Sequence, residues 1–127
     1  MFGDGEFTMR SCQVMLNSSP NGGGVALFRT APSIIIGSII AQNTAVDGGG
    51  IFSSGDLELR ATKVLRNTAE DLGGGIRMDG ELTLERSTVS GNFALFGGGI
   101  FTSQDPEVKN SKVIGNFSPD GQQITVD

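Results

Sequence analysis

Apolar and polar residues alternate along this chain in short runs, most plainly in Leu57-Glu58-Leu59-Arg60 and Leu82-Thr83-Leu84-Glu85. A period of two places every second side chain on one face, the signature of a strand with one side buried. No segment carries a sustained helical period. The runs themselves recur. Aligned on Asn17, Asn43, Asn67, Asn92 and Asn116, which are spaced by 26, 24, 25 and 24 residues, the apolar positions fall into columns. Eight residues before the asparagine stand Met9, Ile35, Leu59, Leu84 and Val108. Three before it stand Val14, Ile40, Val64, Val89 and Val113. Five before it runs a column of small side chains, Cys12, Ser38, Thr62, Ser87 and Ser111. Eight or nine after it come Val25, Ile51, Ile76, Ile100 and Ile124, the first four each preceded by three glycines.

A fixed period means one structural unit stacked on copies of itself. The columns predict an all-β chain: a parallel β-helix of about five turns of 24–26 residues, with three short strands per turn. In the third unit these are a strand over 56–61, a short strand leading to Asn67, and a third starting at Ile76. Crossover handedness predicts a right-handed coil. Residues 1–6 read as an N-terminal tail and 7–127 as one domain. The run Ile34-Ile35-Ile36, in the longest unit, predicts a β-bulge there. Stacked asparagines can bond amide to amide from turn to turn, and Asn tolerates left-handed backbone at bends. The glycines mark positive φ or close approach of neighbouring turns. The last unit, Gly121-Gln122-Gln123-Ile124, loses the run, which predicts a frayed or differently capped end.

The unit Leu82-Thr83-Leu84-Glu85-Arg86-Ser87-Thr88-Val89-Ser90-Gly91-Asn92-Phe93-Ala94, with Gly97-Gly98-Gly99-Ile100-Phe101, resembles the repeats of right-handed parallel β-helix proteins. Among these are the chlamydial polymorphic outer membrane proteins and bacterial adhesin-like proteins. The likeness covers about residues 7–126. It implies a rigid, non-catalytic module at a cell surface, or a lumenal accessory subunit of a larger complex. The same architecture carries pectate lyase-like enzymes, so the second implied reading is a fragment of a carbohydrate-active enzyme.

Composition narrows the chemistry. The net charge of −5, without basic clusters, argues against a nucleic-acid surface. The chain has no His, Trp or Tyr, so imidazole chemistry and sugar-stacking Trp or Tyr platforms are ruled out. The single cysteine cannot form an internal disulfide; in the small-residue column it reads as a buried stand-in for serine. The longest apolar run, 34–41, is too short to span a membrane. No signal peptide is visible at the N-terminus.

Asp56, Glu81 and Asp105 form an acidic column. It reads as solvated carboxylates screened by salt, or, less simply, as a site for a divalent cation, Ca²⁺ first. No cofactor is otherwise indicated. A second turn-edge column holds Asn21, Asp47 and Asp120, with Asp71 or Leu72 in the unit that has one extra residue. Arg60, Glu85 and Lys109 alternate in sign on consecutive turns and predict a cross-strand ion-pair ladder that sets register. Phe52 and Phe101 flank Arg77 and predict a cation–π stack pointing away from the core. With Phe93, Phe96 and Phe117 they form a candidate docking face for another protein. The two ends of a solenoid leave strands unpaired, which predicts contact with a partner or self-association, including end-to-end fibres. No threonine column suited to ice binding exists.

Overall fold

The structure, a computed structural model of the chain, describes residues 2–3, 7–28 and 32–127. Every described element is a strand, every pairing is parallel, and the chain winds through about five stacked turns. The first sheet holds Phe7–Arg10, Ser33–Ile36, Leu57–Arg60, Leu82–Glu85 and Glu107–Lys109. The second holds Gln13–Met15, Ile39–Ala41, Lys63–Leu65, Thr88–Ser90 and Lys112–Ile114. The sheet entered after the glycines, here the fourth, holds Val25–Leu27, Ile51–Ser53, Ile76–Met78, Ile100–Thr102 and Ile124–Val126. These are the three strands per turn that the periodicity predicts.

A fourth strand per turn was not anticipated. Ser18–Asn21, Thr44–Asp47 and Thr68–Leu72 pair into a third sheet between the asparagine and the glycines. Single bridges at Phe93, Phe96 and Phe117 extend it into the last two turns. Its alternation is brief, and the first two strands end in Asn21 or Asp47 before glycine, so it reads as a turn. Residues Phe2–Gly3, assigned to a tail above, instead pair with Ala26 and Leu27 at the edge of the fourth sheet. That edge offers unpaired backbone groups, and two residues suffice to use them.

Pairing is one-to-one. Leu57, Glu58, Leu59 and Arg60 stand opposite Leu82, Thr83, Leu84 and Glu85. Ser33–Ile36 meets Leu57–Arg60 without a shift, so the bulge expected at Ile34–Ile36 is absent. The extra length of this unit falls between Leu27 and Ser33, where residues 29–31 lie outside the described residues. The register shift falls at Glu70–Asp71, where two residues face Val46 alone. Leu72 thereby joins the Asp47 column, and the Asp47 carboxylate accepts the Leu72 N–H at 3.2 Å.

The core is the set of inward columns. Ile35, Leu59 and Leu84 from the first sheet meet Ile40, Val64 and Val89 from the second and Ile51, Ile76 and Ile100 from the fourth, all fully buried. Burying a branched aliphatic side chain contributes roughly 1.5–3 kcal/mol. One position breaks the column: Ser33, in register between Phe7 and Leu57, is 2% exposed, and its hydroxyl finds no partner among the described residues. A buried hydroxyl without a bond costs about 1–3 kcal/mol. Ser33→Ala is therefore expected to raise stability by about 1 kcal/mol in urea titration. A loss of stability would mean that the hydroxyl is bonded in solution.

Candidate functional site

The asparagine column is a continuous chain of amides, buried from Asn43 to Asn116 and exposed at Asn17. Asn17 Nδ2 donates to Asn43 Oδ1 at 3.2 Å, Asn43 to Asn67 at 3.0 Å, Asn67 to Asn92 at 3.0 Å and Asn92 to Asn116 at 2.8 Å. The same oxygens also accept the backbone N–H of the preceding asparagine, at 2.8–3.0 Å. The second amide hydrogen reaches the aliphatic column one turn back: Asn43 donates to Val14 O, Asn67 to Ile40 O and Asn92 to Val64 O, each at 3.0 Å. Each interior amide thus uses all its donors. The left-handed backbone lies one residue earlier than expected, at Leu16, Gln42, Arg66, Gly91 and Gly115, with φ of 61°, 58°, 52°, 69° and 67°. This bend swings the following asparagine inward.

A second ladder runs alongside. The N–H groups of Cys12, Ser38, Thr62 and Ser87 donate to the hydroxyls of Ser38, Thr62, Ser87 and Ser111 at 3.1, 3.4, 3.2 and 2.9 Å. Each hydroxyl donates to the carbonyl two residues earlier, as Thr62 does to Arg60 O at 2.9 Å. Cys12 keeps that geometry, its Sγ lying 3.2 Å from Arg10 O. The column was visible in the sequence, but its bonding role was missed. The signal was there: every occupant but the first bears a hydroxyl.

In the run Gly48-Gly49-Gly50 each glycine has its own reason. Gly48 has φ of 65°. A Cβ on Gly49 would lie 2.3 Å from Gly74 O, and one on Gly50 would lie 2.9 Å from Asn67 Nδ2. The third glycine makes room for the asparagine of the next turn.

The charged columns face outward. Arg60 stands opposite Glu85, and Glu85 opposite Lys109, as the alternation implied. The ion pairs nevertheless close along the chain: Arg60 to Glu58, Lys109 to Glu107 at 3.4 Å, and Arg86 to Glu85 at 3.3 Å. In the Arg60–Glu58 and Lys109–Glu107 pairs the residues stand two apart on one strand and share a face, and here that contact wins over the rung. The hydrogen bond and charge of Glu58, with a smaller push from Glu85, hold the Arg60 pKa above its ordinary value. In the acidic column Asp56 Oδ1 accepts the Glu81 N–H at 2.9 Å, a corner bond between turns. Glu81 and Asp105 line one shallow groove with Glu107; Asp56 and Glu81 line another with Glu58. Among the described residues no three Cys, Asp or Glu side chains converge as a metal-binding group. In the last corner, hydrogen bonds from the Ser118 hydroxyl and the Gln122 N–H hold the Asp120 carboxyl below its usual pKa.

The aromatic candidates divide between two sheets rather than forming one stripe. On the outside of the fourth sheet the Arg77 guanidinium lies 5.8 Å from the Phe52 ring centre and 5.2 Å from that of Phe101, and pairs with Asp79. Phe28 covers Phe52 at 5.3 Å, and Phe101 is only 8% exposed, so this stack is closed upon itself. Across the glycine corner, Phe93 and Phe117 stack at 5.3 Å with planes 7° apart. Together with Leu95 and Phe96 they are 39–58% exposed. The chain matches no protein-family model, no curated protein and no solved structure. The likeness to β-helix surface proteins is therefore one of repeat pattern.

Proposed function

We propose that this solenoid, coiled right-handed, is a non-catalytic structural module that docks to another protein through the face bearing Phe93, Phe96 and Phe117. The observation that carries the reading is the occupancy of one outward column. It holds Ser18, Thr44 and Thr68 in the first three turns and Phe93 and Phe117 in the last two. The fold tolerates a short polar residue there, so the rings answer to something other than the solenoid's own packing. Stacked aromatics on a rigid element lose little conformational freedom on binding, which suits an anchor. Asp71, whose carbonyl accepts the Phe96 N–H at 3.0 Å from the preceding turn, and Asp120, three residues after Phe117, lie beside the patch and favour a partner with an apolar centre and a basic rim. A surface repeat segment or a lumenal accessory subunit would use such a face in the same way.

The test is a photo-crosslinking residue at Phe96, used in the native source. A discrete product should form and should vanish when Phe93→Thr and Phe117→Thr are combined, while melting temperature changes little. A product unaffected by the double substitution, or none at all, would remove the reading.

A further inference from the structure

The two ladder ends differ, and the difference lies in Gln123. At the N-terminal end Asn17 is exposed, and its Oδ1 accepts no hydrogen bond from the described residues. At the other end Asn116 stands in the last turn. Gln123, seven residues on, folds its side chain back over it. Gln123 Oε1 accepts the Asn116 N–H at 2.8 Å and Asn116 Nδ2 at 3.0 Å. Those are the two bonds each earlier asparagine gives to the Oδ1 of the next. Gln123 Nε2 donates to Asn116 O at 2.8 Å. In earlier turns that carbonyl position accepts the N–H after the following asparagine, as Asn92 O does from Phe117 at 2.8 Å. One glutamine amide thus supplies three bonds that a further turn would have made.

A steric argument points the same way. Gln123 occupies the column of Gly24, Gly50, Gly75 and Gly99. A Cβ at those glycines would lie 2.7–3.0 Å from the amide nitrogen of the next turn's asparagine and 2.8–2.9 Å from a backbone oxygen. Such contacts are closer than real Cβ atoms make. Position 123 carries a Cβ, so an asparagine of the same repeat cannot settle above it.

We propose that Gln123 terminates the ladder: it bars another turn of this Asn–Gly repeat, from this chain or a second copy, from stacking on the C-terminal rung. The argument rests on the amide and Cβ of Gln123, and is independent of the aromatic face. Head-to-tail fibres meet a second obstacle. Continued register would set Lys109 opposite Arg10, its counterpart in the first sheet, with like charges face to face.

The test appends residues 104–127 a second time after Asp127, which places a copied asparagine one period beyond Asn116. With Gln123 retained, the added turn should exchange its amide hydrogens at unfolded rates. With Gln122→Gly and Gln123→Gly, its slowest amides should be protected about 100-fold or more. Protection in the chain that keeps Gln123, or none in the glycine variant, would overturn the proposal. A second measurement covers loss of folding in that variant. Gln123→Met in the native chain keeps the side-chain length but removes the amide. Side-chain amide exchange at Asn116 should rise about tenfold while that at Asn67 stays fixed. Unchanged exchange at Asn116 would equally refute the cap.

Discussion

Asn67→Ala is expected to be the most damaging polar substitution in this chain. Asn67 is fully buried at the centre of the ladder. Its loss strands the Asn43 N–H and one Asn43 amide hydrogen, which bond to Asn67 Oδ1, and leaves Ile40 O and Asn92 Oδ1 each short of a donor. Unmade bonds at buried groups cost about 1–3 kcal/mol each. Partial relaxation brings the expected loss to roughly 4–5 kcal/mol, within the range that unfolds a small domain. Asn17→Ala, at the exposed end, removes one half-solvated pair of bonds and should cost only about 1 kcal/mol. Urea titration of the two variants checks the gradient. Equal costs would mean that the ladder contributes through each residue's own turn and not through continuity between turns.

The ladder was legible because a one-to-one solenoid turns sequence period into spatial adjacency. Residues 24–26 apart become neighbours, so a column of Asn, of Gly-Gly-Gly or of aliphatics can be read as a line in space. Features that depend on contacts within a turn were not legible in that way. Arg60 pairs with Glu58 although residues two apart on a strand lie about 6.6 Å apart and adjacent rungs only about 4.8 Å; both carboxylates are within reach of a long guanidinium side chain, and alternation of sign along the column does not decide between them. Thr44–Asp47 was read as a turn because its one buried side chain, Ala45, is small and Asp47 before Gly48 carries turn chemistry. The left-handed bend sits at Gln42 and Arg66, residues that give no compositional sign of it; only Gly91 and Gly115 do. Gln123 was visible as a missing glycine, yet its bond to Asn116 follows from the shape of the last corner, where the Ser118 hydroxyl donates to Gln122 O at 3.0 Å. Of the six residues read as a candidate docking face, the sequence did not show the division between a closed cation–π stack and an open aromatic pair.

That division bears on what the module can do. The polar bonds that lock successive turns together lie inside, in two ladders and a glycine corner, and leave the outward columns free to vary. Thr68 and Phe93 occupy equivalent outward positions in consecutive turns and pair in register. A scaffold specified from within can carry a different surface on each turn without loss of register.

The glycine corner sets the other large expected effect. A Cβ on Gly74 would lie 2.3 Å from Gly98 O, 2.4 Å from Phe93 O and 2.6 Å from Phe93 C. All three are backbone atoms, so no rotamer change can relieve the contact. Gly74→Ala must push two turns apart, breaking the Gly74 N–H bond to Gly97 O at 3.1 Å and straining the Asn92 ladder bonds beside it. A loss above about 4 kcal/mol is expected, seen as absent strand signal in circular dichroism or as insoluble protein. Gly37→Ala is the matched control. Gly37 has φ of 59°, yet the nearest atom to a Cβ there is Ser11 Oγ at 3.8 Å. Its column already holds Ser11, Ala61, Arg86 and Asn110 at φ of 47–51°. The strain of that conformation alone costs about 1 kcal/mol. If Gly74→Ala proved no worse than Gly37→Ala, the close approach of turns would be relaxed in solution, and the same relaxation would open the glycine column to side chains in every turn.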